Sequence, residues 1–225
     1  ITITEEQEQK LNQYYDLLID WNNKINLTSI VEYEEVIWKH FLDSAFFVSC
    51  DKVDLKEKKK VLDLGTGAGF PGMVLAILCP DYEFVLADSL NKRIEFLKVV
   101  INRLQIHNVS VIHGRAEELG QDENFRNQFD YVVSRAVAEL PVLLEYCIPF
   151  VKKGGYFVSY KSRRLDEEIE NADNALNMLY TKYDKKYKYE LEYDHSERYL
   201  VFFRCENITD SKYPRKPKKI KTNPL

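Results

Sequence analysis

Residues 61–72 read Val61-Leu-Asp-Leu-Gly-Thr-Gly-Ala-Gly-Phe-Pro-Gly72. A short apolar run predicts a strand, and the glycines that follow (Gly65, Gly67, Gly69, Gly72) predict a tight loop. Met73–Leu78 then resumes as an apolar helix. Gly67-Ala-Gly69-Phe-Pro-Gly72 has the GxGxxG form of a nucleotide-binding turn, in which a ligand approaches the backbone closely. Asp88 ends the next predicted strand 19 residues after Gly69, the right reach for a carboxylate on ribose hydroxyls. A turn that binds nothing is the competing reading, and strand, loop, helix and acid in register weigh against it.

Outward from this stretch, strands and helices alternate. Glu83–Ala87, Val109–Ile112, Phe129–Ser134 and Tyr156–Tyr160 are further short strands, the last after a Lys-Lys-Gly-Gly turn. Helices are predicted around Ile94–Leu104 and Leu140–Cys147 and over Leu165–Leu179. Such alternation implies right-handed βαβ units and a parallel sheet covered on both faces. Tyr187, Tyr189, Leu191 and Tyr193 then alternate with charged residues, and Tyr199, Val201 and Phe203 follow across a polar turn, which predicts an antiparallel hairpin. The fold class is therefore α/β, a Rossmann-like, seven-stranded and mostly parallel sheet with a C-terminal hairpin. Upstream, Thr4 and Gln7 form a capping-box pattern, and Ile37, Phe41, Ala45 and Val48 share a helical face. Trp21–Thr28 between these helices reads as polar and turn-like. The expected organisation is a helical extension (1–55), the main domain (56–207) and a tail (208–225) that is extended or disordered.

The chain has 225 residues and a net charge of −4, which excludes an evenly basic nucleic-acid coat. Ser211–Leu225 carries six basic residues and no acidic one; subtracting that +6 from the whole-chain −4 leaves −10 on the body. No apolar stretch suits a membrane helix, and the acidic start is unlike a secretory or transit peptide. The four cysteines are far apart and read as buried free thiols in a reducing cytoplasm. The histidines show no metal-ligand spacing, so no metal is expected.

An adenosine-type cofactor with a pyrophosphate and one with a free amino group both use such a cleft. Asp63, two residues before the first glycine, suits the free amino group, and the loop holds no phosphate-neutralising cation. Gly114-Arg-Ala-Glu-Glu118, after the third strand, is placed to meet an adenine edge. These features resemble class I S-adenosylmethionine methyltransferases, with an NAD-dependent oxidoreductase as the alternative.

Within that class the chain resembles the glucose-inhibited division protein B family. The resemblance rests on the glycine loop, Ala87-Asp-Ser-Leu-Asn-Lys-Arg93, Gly114-Arg-Ala-Glu117, Val133-Ser-Arg-Ala136, Trp21-Asn-Asn-Lys-Ile-Asn-Leu-Thr28, His40-Phe-Leu-Asp-Ser44 and Lys212-Tyr-Pro-Arg-Lys-Pro217. It implies a bacterial, cytoplasmic 16S ribosomal RNA guanine-N7 methyltransferase, modifying one guanine in a small-subunit loop near the decoding centre. The implied cofactor is S-adenosyl-L-methionine, and the implied partner is 16S ribosomal RNA or the small ribosomal subunit, met by a monomer without metal or membrane. A small-molecule methyltransferase and a ribosome-assembly factor without turnover are the other readings.

Carried over position by position, Gly65, Phe70, Ala116, Glu117 and Arg135 contact the cofactor, together with Asp63, Gly67 and Gly69 of the loop and Asp88 on the ribose. Arg135 is also the expected catalytic residue, at the edge where acceptor and cofactor meet; a buried ion pair is its structural alternative. Lys161, Arg163 and Arg164, with Arg215 and Lys216 of the tail, are expected to neutralise RNA phosphates. Removing the tail would on that reading weaken RNA binding and spare the cofactor. His40, with Asp43 and Ser44, lines the acceptor side, or else packs on the sheet. The chain departs from the family pattern at Ser162 and Lys218, where glycine is common. Guanine N7 carries an in-plane lone pair, so the reaction needs orientation rather than a strong base. Cys79 reads as core packing rather than a nucleophile.

Overall fold

The computed structural model describes residues 2–135, 138–162 and 165–225. Seven strands, β1 (Lys60–Leu64), β2 (Glu83–Asp88), β3 (Val109–His113), β4 (Phe129–Arg135), β5 (Val151–Lys161), β6 (Thr181–Leu191) and β7 (Ser196–Cys205), form one sheet in the order 3-2-1-4-5-7-6. β1 to β5 run parallel, whereas β7 is antiparallel to both β5 and β6. This is the expected architecture, closing hairpin included. Strand order reverses direction at β1, with β2 on one side and β4 on the other, which opens a crevice at their carboxyl ends.

Period-two alternation sends successive strand residues to opposite cores. Val61, Leu86, Val133 and Phe202 join one cluster; Leu62, Ala87, Val132 and Phe203 join the other. The first face is covered by α1 (Glu5–Ile25), α4 (Gly72–Leu78), α5 (Asn91–Leu104) and a continuous helical stretch. That stretch runs through α2 (Tyr33–Val36), a π-helical segment (Ile37–Leu42), α3 (Asp43–Ala45) and a 3-10 turn (Phe46–Ser49). The second face carries α7 (Leu140–Cys147), α8 (Leu165–Glu170) and α9 (Asp173–Met178), with the short α6 (Ala116–Leu119) beside it. No helix among the described residues is long and apolar enough to cross a membrane.

Thr4 and Gln7 cap α1 reciprocally, and the Gln7 amide donates to the carbonyls of Ile77 and Leu78, fastening the helix to the end of α4. Trp21–Ile25, expected as a turn, is helical. Trp21 packs on Phe96, 5.8 Å between ring centroids, and the helix stops only at Asn26, which takes the left-handed conformation. The Lys152–Gly155 turn is likewise absorbed into β5, where the register against β4 shifts between Phe129 and Tyr131. The helix expected over Leu165–Leu179 breaks into α8 and α9. Within α8, Glu168 accepts hydrogen bonds from Leu140 N at 3.0 Å and Lys161 Nζ at 2.6 Å.

The tail is ordered, contrary to expectation. The Arg126 guanidinium donates to the carbonyls of Gly120, Thr209, Asp210 and Tyr213, fixing the tail's start. Tyr213 is then buried, and Arg215 forms a bidentate ion pair with the fully buried Glu145, at 2.8 and 2.6 Å. A last helix, α10 (Pro217–Thr222), follows with Ile220 buried. A carboxylate buried on α7 requires a counter-charge, and Arg215 supplies it from 70 residues away. Arg215→Ala is expected to cost about 3–5 kcal/mol of unfolding free energy. A urea midpoint within experimental error of the parent would contradict that.

Candidate active site

The crevice holds a cavity of about 720 Å³. That is within the roughly 300–1,000 Å³ of small-molecule sites. Its floor is the glycine loop. Asp63, wholly buried at the end of β1, accepts hydrogen bonds from the Thr66 hydroxyl and from Gly72 N, both at 2.7 Å, so one carboxylate oxygen closes the loop. Its other oxygen has no partner, and burial pushes the carboxyl up to about 6. From above, the buried Tyr14 hydroxyl donates to Ala68 O. Gly69 lies at φ +102°, and a Cβ there would strike the Tyr14 hydroxyl and Leu97. Gly67, at φ +62°, has open space where a Cβ would stand, leaving its backbone free to be approached.

Gly65, Gly67, Phe70, Asp88, Ala116, Glu117 and Arg135 all line this cavity, as does His40. Asp63 and Gly69 do not. Both stand behind the loop wall, where Asp63 fixes the loop through Thr66 and Gly72. Asp88 accepts from Gly67 N and Leu90 N at 2.9 Å each and pairs with Arg93 at 3.1 Å. Arg93 was not foreseen. It sits in the first turn of α5, where only its position after Asp88 could have signalled it.

At the carboxyl end of β4, Arg135 is built into a buried polar network. Its guanidinium pairs with Asp43 at 3.0 Å, donates to Lys39 O at 3.1 Å and meets His40 Nδ1 at 3.2 Å. The structural alternative for Arg135, a buried ion pair, is therefore realised, and the same residue faces the cavity. Asp43 in turn accepts from the Tyr189 hydroxyl at 2.7 Å. The His40 ring stacks on Phe70, centroids 4.4 Å apart, and its Nε2 lies 2.9 Å from the Thr28 hydroxyl. Nδ1 lies 3.2 Å from both the Arg135 guanidinium, which can only donate, and Lys39 O, which can only accept. Ser44 is buried and donates to His40 O.

Two cations of the expected phosphate-binding set are held in internal ion pairs. Lys161 is consumed by Glu168 and Ala138 O, with its side chain 11% exposed. Arg215 is consumed by Glu145, and Arg163 and Arg164 lie outside the described residues, as does Ala136. Among the described residues of the named set, Lys216 is exposed. Cys79 is buried and its thiol is pushed up to about 12 by that burial, which leaves no thiolate for nucleophilic work.

A family model described as "rRNA small subunit methyltransferase G" matches residues 7–194. The chain belongs to the rRNA small subunit methyltransferase G family. It is 49% identical to the ribosomal RNA small subunit methyltransferase G of Lachnoclostridium phytofermentans, over 95% of this chain and 87% of the relative. It is also 49% identical to that of Alkaliphilus metalliredigens, over 96% and 89%. Among solved structures, an S-adenosylmethionine-dependent methyltransferase from Aquifex aeolicus superposes with TM-score 0.55 at 18% identity, covering 75% of this chain and 92% of its own. The last likeness concerns the fold alone. Family membership removes the nicotinamide alternative.

Burial and the Arg135 charge push the His40 imidazole down from its usual value to about 3. A histidine held this low stays neutral when folded, while the unfolded chain takes up protons below about pH 6.5. Its contribution to stability is thus lost as pH falls from about 6.5 towards 3. The imidazole nitrogen resonances of His40 are expected to keep their neutral positions down to about pH 5. A titration midpoint near 6.5 would show that the ring is open to water.

Proposed function

We propose that the chain transfers the methyl group of S-adenosyl-L-methionine to N7 of one guanine in 16S ribosomal RNA, in the cytoplasm, at the edge of the cavity marked by Arg135. The residues present fit the cofactor. Asp88 offers a carboxylate at ribose reach, Gly67 leaves its backbone open, and Ala116 and Glu117 line the purine end. When bound, the cofactor supplies an electrophilic methyl on a sulfonium.

The observation that carries this reading is Arg135, held by Asp43 beside Phe70 in the wall of the same cavity. Two of its donors have no partner among the described residues, the Nε–H and one Nη2 hydrogen. They suit O6, the acceptor adjacent to N7 on the guanine edge, and leave the N7 lone pair free. Methylation puts positive charge on the guanine. A bare guanidinium would oppose that, and the Asp43 carboxylate offsets it. No general base is needed, because N7 carries no proton. Of the buried carboxylates, Asp43 and Asp88 have both oxygens in internal hydrogen bonds. The guanine must be unpaired or flipped to present this edge.

Methyl transfer to small subunits and to naked 16S RNA lacking the modification, with N7 mapped by chemical cleavage, tests the function. Absence of N7 methyl on both substrates would refute it. Replacing the pair together, Arg135→Gln with Asp43→Asn, avoids leaving an unpaired buried charge. The double variant is expected to lose about 100-fold or more in kcat. Its affinity for S-adenosylhomocysteine should be little changed, and parental turnover would sink the role given to Arg135.

A further inference from the structure

The tail was expected to serve RNA alone, yet its last residues face the cofactor cavity. Pro217, Lys221 and Pro224 line the same cavity as Asp88 and Gly67. Pro217 and Lys221 are four residues apart in α10 and Pro224 follows just beyond its end, while Ile220 between them is buried. We infer that the inner face of this C-terminal segment is part of the cofactor site, closing the slot that holds the purine of S-adenosylmethionine.

The position of the slot follows from the sheet order. Asp88 at the end of β2 marks the ribose, so the purine extends past it towards the ends of β3 and α6, with α7 opposite. The cavity walls there are Ala116, Val142 and Tyr146, apolar surfaces suited to a flat ring, with the Glu117 carboxylate to receive an exocyclic amine. Pro217, Lys221 and Pro224 add to the lining of the same cavity. The segment is fixed in place rather than draped. Arg126 holds Thr209, Asp210 and Tyr213, Arg215 is paired to Glu145 on α7, and Ile220 is fully buried. Arg215 Nη2 also donates to Asn223 O at 3.1 Å, which ties the exit of α10 to the buried ion pair. Rigid proline surface costs little conformational entropy when a ligand packs on it.

This inference rests on the cofactor reading, and the experiment separates the two. Calorimetry with S-adenosylhomocysteine and with adenosine would compare the full chain, a chain ending at Lys216 that keeps the Arg215–Glu145 pair, and the full-length Pro224→Asp variant. The truncated chain is expected to bind S-adenosylhomocysteine about tenfold more weakly, and adenosine weaker by a similar factor, because the loss is at the purine end. Pro224→Asp changes an exposed residue, so it should melt like the parent while binding both ligands several-fold more weakly. It carries the test if truncation exposes Ile220 and unfolds the chain. Unchanged affinities in Pro224→Asp and in a folded truncated chain would overturn the inference, and would do so even if RNA binding fell. Failure of the full chain to bind S-adenosylhomocysteine would overturn the cofactor reading itself.

Discussion

One buried carboxylate oxygen holds the floor of the site. Asp63 Oδ2 takes hydrogen bonds from Thr66 and Gly72, the two ends of a loop whose glycines would otherwise sample many conformations. Burial makes that carboxylate unfavourable as an anion, and its second oxygen is unpartnered. The loop therefore stores a cost that the surrounding packing must outweigh. Asp88, bonded to Gly67 N, and Tyr14, bonded to Ala68 O, fasten the loop from the other sides. The backbone that a cofactor approaches is thus set before the cofactor arrives, and the entropy of ordering it is not charged to binding.

Every segment outside the nucleotide-binding core reaches the same crevice. The helical extension brings Asp43 and His40 to Arg135, and the closing hairpin brings Tyr189 to Asp43. Asp43 is the junction, since its two oxygens serve Arg135 and Tyr189 separately. The network holds the guanidinium over the Phe70 ring, 5.3 Å from its centroid. From the opposite side, the tail arrives through Arg126 and the Glu145–Arg215 pair. The acidic body and basic tail seen in the composition therefore do not divide into a cofactor half and an RNA half. One face of α10 lines the cavity while Lys218 and Lys219 face solvent.

The sheet was legible because alternating apolar runs and a glycine loop have few other physical meanings, and the hairpin showed in the tyrosine alternation of β6. The cavity lining was legible where the motif itself supplies it, at Gly65, Phe70, Asp88, Glu117 and Arg135. Charge partners were not. Arg215 read as a free cation because Glu145 lies 70 residues away, Lys161 because nothing singles out Glu168 among the acids of its helix, and a count of charges does not reveal which are buried. The tail's order was equally hidden: Tyr213 and Ile220 are too few to make a periodic pattern, yet each fills a buried position. Helix ends were misjudged where tertiary contacts extend them, as Trp21 does on Phe96.

A crystal structure of the full chain grown with S-adenosylhomocysteine tests the central claim most directly. The account predicts the ligand in the crevice at the ends of β1, β2 and β4. Its ribose should lie on Asp88, with its sulfur turned towards the edge where Arg135 and Asp43 stay paired. A ligand bound away from the glycine loop, or with its sulfur remote from Arg135, would contradict it.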